Sequence, residues 1–363
     1  MIKPEIKPLT GIRAVAAFWV VFHHLKPQIE EAFPWTSRVA GPLLSQGYLG
    51  VDLFFILSGF IIYYNYGDSL ADFRLKNYGE YLWMRLARLW PVHVTILLIY
   101  AVGLIAIRFF GVNPIHQNFY SWIDFAWNIL MVHAWSVPIS VSWNTPAWSI
   151  SCEFLVYLLF PLFLLLRLQR AYTVVLFLYV GTLFFGTAAI CQGLYDTGGS
   201  QYGLIRVLGE FFGGCGLGLI HRLQKVRHYK GSVIVHVTVL ALLIAPYTII
   251  PLGLVGYWCV PLLGVIVLEL ARDQGIIASF LSTKVMLRGG YISYSLYMVH
   301  EPCLILMSGA RRFLHLPIIL TLFVYLLVLI PAALLMFYGV EEPCRKAMRK
   351  AYPRHRQQPY PVI

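Results

Sequence analysis

The chain has 363 residues, of which 59% are hydrophobic and 12% are charged, and its mean hydropathy is +0.71. Soluble domains carry about 25% charged residues, so this composition leaves no room for a sizeable soluble domain and predicts a membrane protein. The net charge of +12 does not indicate a nucleic-acid-binding protein, because the lysines and arginines concentrate in short links between apolar segments.

The first apolar segment, residues 9–26, contains Arg13 and His24. In an α-helix, two residues that are eleven positions apart, as Arg13 and His24 are, lie within about 20° of the same face and roughly 16 Å apart along the axis. Ionisable groups at membrane depth tend to face a bundle interior or a polar cavity, so this stripe is a candidate site. His23 lies about 80° away from it. The alternative is that Arg13 snorkels to the interface and His24 caps the far end.

Apolar segments of spanning length recur along the whole chain. They predict an all-α polytopic membrane protein with about ten transmembrane helices. Links rich in lysine and arginine alternate with links that carry few, which places both termini on the cytoplasmic side. The predicted spans are 9–26, 47–66, 90–107, 147–166, 172–192, 203–220, 232–249, 252–270, 289–309 and 316–339.

Residues 120–136 do not fit this alternation. They are aromatic, short for a span, and contain Asp124 and His133. If they crossed the membrane, every later basic link would face outward. We therefore expect an amphipathic or re-entrant element on the outer side. His93 and His133 are expected to be interfacial.

Two isolated carboxylates lie in predicted spans, Asp52 in the second and Glu153 in the fourth. The topology puts both near the outer ends of their helices, at the depth of His24, so the three are expected to meet in a cavity. There His24 would act as a general base, with Asp52 as the first candidate to orient its ring and Glu153 as the second. The alternative for each acid is a hydrogen bond or ion pair that locks helices together.

Arg85 and Arg88 lie three residues apart, just before Pro91 opens the third predicted span. Paired guanidinium groups at a cytoplasmic membrane entrance suit a phosphate-bearing ligand, through bidentate charge-assisted hydrogen bonds. The alternative is a positive-inside anchor, with Trp83 and Trp90 as interfacial belt residues.

The ninth predicted span carries Tyr294, Tyr297 and His300 on its polar side. Such a stripe of aromatic hydroxyls either binds a sugar or packs against neighbouring helices, and packing is favoured. The six cysteines are scattered without a CxxC pair or a Cys/His ligand cluster. Neither a disulfide framework nor a metal site is therefore expected.

Several of these segments occur together in an order that resembles the acyltransferase-3 family of integral membrane acyltransferases. They are LTGIRAVAAFWVVFHH, GYLGVDLFFILSGF, RLARLWP, PAWSISCEFLVYLLFP, ISYSLYMVH and VEEPCRK. Many relatives have Asp where this chain has Thr10, so a role for an acid there is lost. The resemblance implies a transmembrane domain over residues 1–345 and a basic cytoplasmic tail over 346–363, without the extracytoplasmic SGNH domain that some relatives carry.

The resemblance also implies an activity. An acyl group, usually acetyl, would pass from acetyl-CoA or another acyl-CoA to a hydroxyl of a carbohydrate or lipid-linked carbohydrate, such as an exopolysaccharide or surface glycan. Arg85, Arg88 and Arg13 would hold CoA phosphates, and His24 would act as general base or carry the acyl group itself. The expected location is among the lipids of the bacterial inner membrane. A macrolide-like small-molecule acceptor and a glycolipid carrier or flippase remain the alternatives.

Overall fold

The computed structural model describes residues 3–71, 73–111, 117–136, 141–164, 203–223, 233–247, 252–272 and 275–352, with a few positions between 173 and 181. Every regular element in these residues is helical. The main helices are α1 (Lys7–Ala32), α2 (Leu49–Tyr66), α3 (Leu75–Phe109), α4 (Trp122–Ile129), α5 (Ala147–Leu164), α6 (Gly203–Leu223), α7 (Val233–Ile244), α8 (Leu252–Leu270), α9 (Lys284–Leu314), α10 (Ile318–Met336) and α11 (Glu342–Ala351).

The all-α, membrane-like character of the chain is confirmed. Within the described residues, four helical stretches are long and apolar enough to cross a membrane: Gly41–Tyr66, Leu75–Phe109, Gly203–Leu223 and Ile318–Ala351. Nine of the predicted spans coincide with described helices, whereas most of 172–192 lies outside the described residues. The number of crossings and the side on which the termini lie stay predictions.

The chain divides into two compact units. The first comprises the described residues within 1–74 and 160–293, and the second comprises those within 75–159 and 294–357.

In the first unit, α2 and α6 pack in unusually close contact. A Cβ atom added to Gly59 would overlap the backbone carbonyl of Phe211, and one added to Gly214 would overlap the carbonyl of Ile56. The Cys215 thiol lies 3.4 Å from the Gly59 carbonyl oxygen. Small residues allow membrane helices to approach backbone to backbone, and these glycines do so here.

The start of α1 is held by a carboxylate from the preceding segment. The Thr10 hydroxyl donates to Glu5 at 2.7 Å, and the Tyr291 hydroxyl donates to the same carboxylate at 3.1 Å. Glu5 therefore supplies an acid beside the position where many relatives are expected to have Asp.

In the second unit, α3 is one helix of 35 residues with Pro91 inside it. The expectation that Pro91 opens a helix is wrong, because the helix begins sixteen residues earlier, at Leu75. Proline removes one backbone hydrogen bond, a loss that membrane helices tolerate when neighbouring groups satisfy the freed carbonyl. Arg85 and Arg88 consequently lie on a continuous helix.

Residues 120–136 form no spanning helix. Helix α4 has eight residues, about 12 Å of length, and a bilayer core is about 30 Å thick. Next to it, the Trp143 indole donates to the Ser121 carbonyl at 2.8 Å, and its ring lies 4.9 Å from the ring of Phe125. Trp143 has a φ of 62°, which is uncommon for a bulky residue.

Helix α11 packs along the beginning of α3. The Trp83 indole donates to the Met348 carbonyl at 2.7 Å, and Gly79 faces the Tyr352 hydroxyl. The predicted domain boundary between residues 345 and 346 falls inside α11, so it divides a helix.

Candidate functional site

Helix α1 presents the Arg13–His24 stripe as expected. It is continuous from Lys7 to Ala32, so the eleven-residue spacing corresponds to a rise of about 16 Å on one face. Both side chains are half-buried. A cation and an imidazole therefore share one face of a helix in the first unit.

His23 has a different environment from His24. Its Nδ1 lies 3.0 Å from the Leu44 carbonyl oxygen, and its ring meets the rings of Tyr48 and His24 edge-on at 6.0 and 5.3 Å. A ring nitrogen that donates to a backbone carbonyl is fixed in one tautomer. This contact gives His23 a structural role.

Asp52 lies in the first turn of α2 and pairs with Arg206 of α6. The Arg206 Nη2 donates to both carboxylate oxygens at 2.8 Å, and its Nε donates to Oδ1 at 3.1 Å. Both side chains are 0% exposed. Since a cation engages both oxygens of Asp52, the structure supports the helix-locking alternative for this residue.

A second carboxyl, Glu210, lies one helical turn beyond Arg206 and against Asp52. Glu210 is 3% exposed. One guanidinium balances only one carboxylate, and an unbalanced buried charge is costly, so Glu210 is the less well satisfied of the two acids. Sequence reasoning missed Arg206 and Glu210, although two charges four residues apart in an apolar helix were a visible signal.

Glu153 of α5 is tied to the arginines of α3. The Tyr157 hydroxyl donates to Glu153, and the Arg85 guanidinium lies 5.9 Å from the centroid of the Tyr157 ring. The predicted topology puts Glu153 near the outer side of the membrane, at the depth of His24, and Arg85 at the cytoplasmic side. Within the second unit, the structure instead joins Glu153 to Arg85 through one tyrosine.

Arg85 and Arg88 are both buried, at 7% and 9% exposure. An interfacial anchor keeps its charged head in water, so this burial disfavours the anchor interpretation. The Tyr294 hydroxyl, which donates to the Leu89 carbonyl at 2.6 Å, lies near Arg88 and Glu153. The arginines thus belong to a buried polar cluster of the second unit.

The expectation that His93 is interfacial is wrong, because this residue is 1% exposed. Its Nε2 lies 2.8 Å from the Asn128 carbonyl oxygen, and its ring stacks on His133 at 5.7 Å. The Asn128 amide donates to Ser142 at 3.1 Å. Within the described residues, the Nδ1 of His93 and the amide of Asn144 are buried without a hydrogen bond.

The tyrosines of α9 serve packing, as the sequence favoured. The Tyr297 hydroxyl lies 2.9 Å from the Ser149 hydroxyl and 3.0 Å from the Pro146 carbonyl oxygen. The Tyr325 hydroxyl donates to the His300 carbonyl at 3.1 Å. These bonds tie α9 to the start of α5 and to α10.

A protein-family model described as an acyltransferase domain matches residues 6–338. The acyltransferase MdmB of Streptomyces mycarofaciens is 30% identical over 161 residues, 44% of this chain and 39% of that protein. The protein named "Protein 2 in picA locus" from Rhizobium radiobacter is 30% identical over 161 residues, 41% of this chain and 76% of that protein.

A putative O-acetyltransferase of Staphylococcus aureus (strain COL) is 26% identical over 199 residues, 52% of this chain and 29% of that protein. The matched region thus covers less than half of the length of MdmB and of the staphylococcal protein. No solved structure matches the chain.

Proposed function

Because the chain belongs to the acyltransferase-3 family, we propose that it is a membrane enzyme that transfers an acyl group, acetyl in the first instance, from acyl-CoA to a hydroxyl group. The observation that carries this proposal is the family match over residues 6–338, within which α1 presents Arg13 and His24 on one face. Relatives named acyltransferase and putative O-acetyltransferase support the class of reaction.

The donor's phosphates are assigned to Arg85 and Arg88, with Arg13 as a further cation. Burial of Arg88 supports this assignment, because a buried guanidinium needs an anionic or hydrogen-bonding partner. The planar guanidinium also matches the oxygens of a phosphate bidentately.

His24 is assigned the role of general base. Its imidazole takes the proton from the acceptor hydroxyl as that oxygen attacks the thioester carbonyl. The carbon–sulfur bond then breaks, and the imidazolium returns the proton to the departing thiolate, giving the acyl ester and free CoA. In the alternative route, His24 first carries the acyl group as an acyl-imidazole.

Asp52 and Glu153 receive indirect roles. The ion pair with Arg206 supports Asp52 as a positioning residue that holds α2 against α6. The bond from Tyr157 supports Glu153 as a positioning residue for the Arg85 side of the donor site. In the proposed reaction, Asp52 and Glu153 need not contact the substrate.

The acceptor in this proposal is a carbohydrate or lipid-linked carbohydrate, reached from the outer side of a bacterial inner membrane. The topology is ten spans with both termini cytoplasmic, and the strong bias of lysine and arginine toward alternate links supports it. The catalytic domain comprises residues 1–345, followed by the basic tail 346–363.

The test is thermal unfolding of the detergent-purified protein with acetyl-CoA, CoA or no ligand, paired with an assay for transfer of labelled acetyl groups to a panel of acceptors. A ligand that binds only the folded state raises the unfolding temperature. A concentration-dependent shift with acetyl-CoA and labelled product is expected. Glycolipid transport that is indifferent to CoA, without any shift, would overturn the proposal in favour of a carrier, and labelled macrolide alone would reassign the acceptor.

A further inference from the structure

Helix α11 carries a buried arginine that the described residues satisfy poorly. The side chain of Arg345 is 5% exposed, and its one described ion pair is a 3.8 Å contact with Oε1 of Glu341. The other oxygen of Glu341 accepts a 2.7 Å hydrogen bond from Ser295. A guanidinium offers five N–H donors, and those of Arg345 make no hydrogen bond to any residue that the structure describes.

The packing of α11 on α3 brings Arg345 next to Arg88. Gly79 faces Tyr352, and one turn later Trp83 bonds to Met348, so the two helices run antiparallel. One further turn in the same register pairs Arg345 with the part of α3 that carries Arg88. Arg88 is accordingly the charged neighbour that acts most strongly on Arg345.

Cations outnumber acids around this pair, even with Glu153, which lies in the same buried cluster and accepts a hydrogen bond from Tyr157. Arg349 adds a third cation near Arg345, and Glu341 is the acid in contact with it. Glu342, the next acid along, is paired with Lys346 at 2.7 Å. Arg88 is 9% exposed and makes no hydrogen bond or ion pair with the described part of the chain. Two like charges held together away from water are unfavourable unless an anion joins them.

We propose that Arg88 and Arg345 form one phosphate-binding pair, supplied by α3 and α11, that holds a phosphate group of the acyl-CoA donor. This inference rests on the proposed function and extends the donor site to a residue of the VEEPCRK segment, which follows the region 6–338 that the family model matches. Each guanidinium can donate two parallel hydrogen bonds to a phosphate, so two arginines can donate four and one arginine only two. Anionic lipid headgroups carry the same phosphate chemistry, so the test separates the two sources.

The experiment uses the full chain in detergent, with Arg345→Ala, Arg88→Ala and the double variant. Lys346→Ala is the matched control, because Lys346 is the next residue of the same helix but is 66% exposed and paired with Glu342. The measurements are the donor KM, kcat, and the CoA-induced shift in unfolding temperature. Each single substitution at the pair is expected to raise the donor KM by about 10- to 100-fold, the value of a charge-assisted hydrogen bond, and to reduce the shift.

In the double variant, the donor KM is expected to rise by less than the product of the two single fold-changes, because both side chains hold one phosphate. Lys346→Ala should behave as wild type, and kcat should change little in all variants. If Arg345→Ala does not fold, Arg345→Lys replaces it, since lysine keeps the charge and loses the planar fork.

Three outcomes would count against the pair. If CoA stabilises wild type and Arg345→Ala equally, the inference fails and the proposed function stands. If phosphatidylglycerol stabilises the protein through Arg345 and CoA does not, the phosphate belongs to a lipid and the donor assignment is overturned. If wild type shows neither a CoA shift nor acyl transfer, the proposed function fails, and this inference fails with it.

Discussion

Asp52 and Arg206, which are 154 residues apart in the chain, meet through three hydrogen bonds of 2.8–3.1 Å with both side chains fully buried. Glu210 completes the group from the next turn of α6. A buried ion pair adds little net stability compared with an apolar replacement, but the loss of one partner leaves a buried charge without the counter-ion that it bonds. The pair therefore makes the contact between α2 and α6 sensitive to single substitutions.

Asp52→Ala is expected to destabilise the protein by about 1–3 kcal/mol, because Arg206 loses the carboxylate that it bonds through Nη2 and Nε and retains only Glu210 as a nearby acid. The double variant Asp52→Leu with Arg206→Met should recover much of this loss, since it removes both charges. The unfolding temperature in detergent measures both effects. An Asp52→Ala protein with wild-type stability and no acyl transfer would instead give Asp52 a direct role in the reaction.

His24→Ala is expected to lower acyl transfer by about 10²–10⁴-fold, the usual contribution of a general base, at unchanged abundance. His23→Gln is the matched control, because the neighbouring ring is held by the Leu44 carbonyl. That control should lower the unfolding temperature and leave turnover per folded molecule nearly intact. A well-expressed His24→Ala protein with normal activity would remove His24 from the mechanism.

Replacing both Arg85 and Arg88 with Ala is expected to raise the apparent KM for acyl-CoA by about 10-fold or more, since charge-assisted hydrogen bonds to phosphate are lost. Steady-state kinetics with varied donor and fixed acceptor measure this change. Unchanged donor KM together with poor folding would support the anchor interpretation of these arginines.

Gly214→Ala is expected to destabilise the contact between α2 and α6 by about 1–3 kcal/mol or more, because the new methyl group meets the Ile56 carbonyl. Gly213→Ala is a control one residue away on the same helix, where an added Cβ has no neighbour within 4 Å among the described residues. That substitution should be neutral or stabilising, since alanine favours helix by about 1 kcal/mol over glycine. If Gly214→Ala and Gly213→Ala changed the unfolding temperature equally, the close packing of α2 on α6 would be contradicted.

Asp68, which follows α2 in the chain, should make the stability of the protein depend on pH. Burial opposes ionisation of Asp68, but Arg222 and Lys3 outweigh it and hold the pKa of this carboxyl below its ordinary value. A depressed folded-state pKa contributes stability that is present above the unfolded pKa and is lost as the pH falls through the folded pKa. Asp68→Asn should therefore slightly lower the unfolding temperature near pH 7, and this effect should shrink as the pH falls through the folded-state pKa of Asp68. The effect is small because the Asp68 side chain is 63% exposed.

Much of the helical framework could be predicted from apolar segments and link charges, because spanning length and the positive-inside bias are local properties. The Arg13–His24 stripe also follows from helical period alone. The start of α3 could not be placed in this way, since residues 75–89 are too polar to register as a span and Pro91 suggests a boundary.

The partners of the buried charges could not be read from one sequence. Asp52 and Glu153 were recognisable as unusual, but their partners Arg206 and Tyr157 depend on which helices pack together. The same holds for Arg345. It sits in a basic segment that resembles a solvated tail, and only the antiparallel packing of α11 on α3 shows that it is buried.

The long separation between Asp52 and Arg206 has a consequence for biosynthesis. At about 5–20 residues per second, roughly 8–30 s pass between the synthesis of these two residues. During that interval α2 already contains a carboxyl whose cation does not yet exist, and a lone acid at membrane depth is costly. Asp52 must meanwhile remain near the interface or be shielded by the insertion machinery, so the first unit cannot complete its folding until α6 has been made.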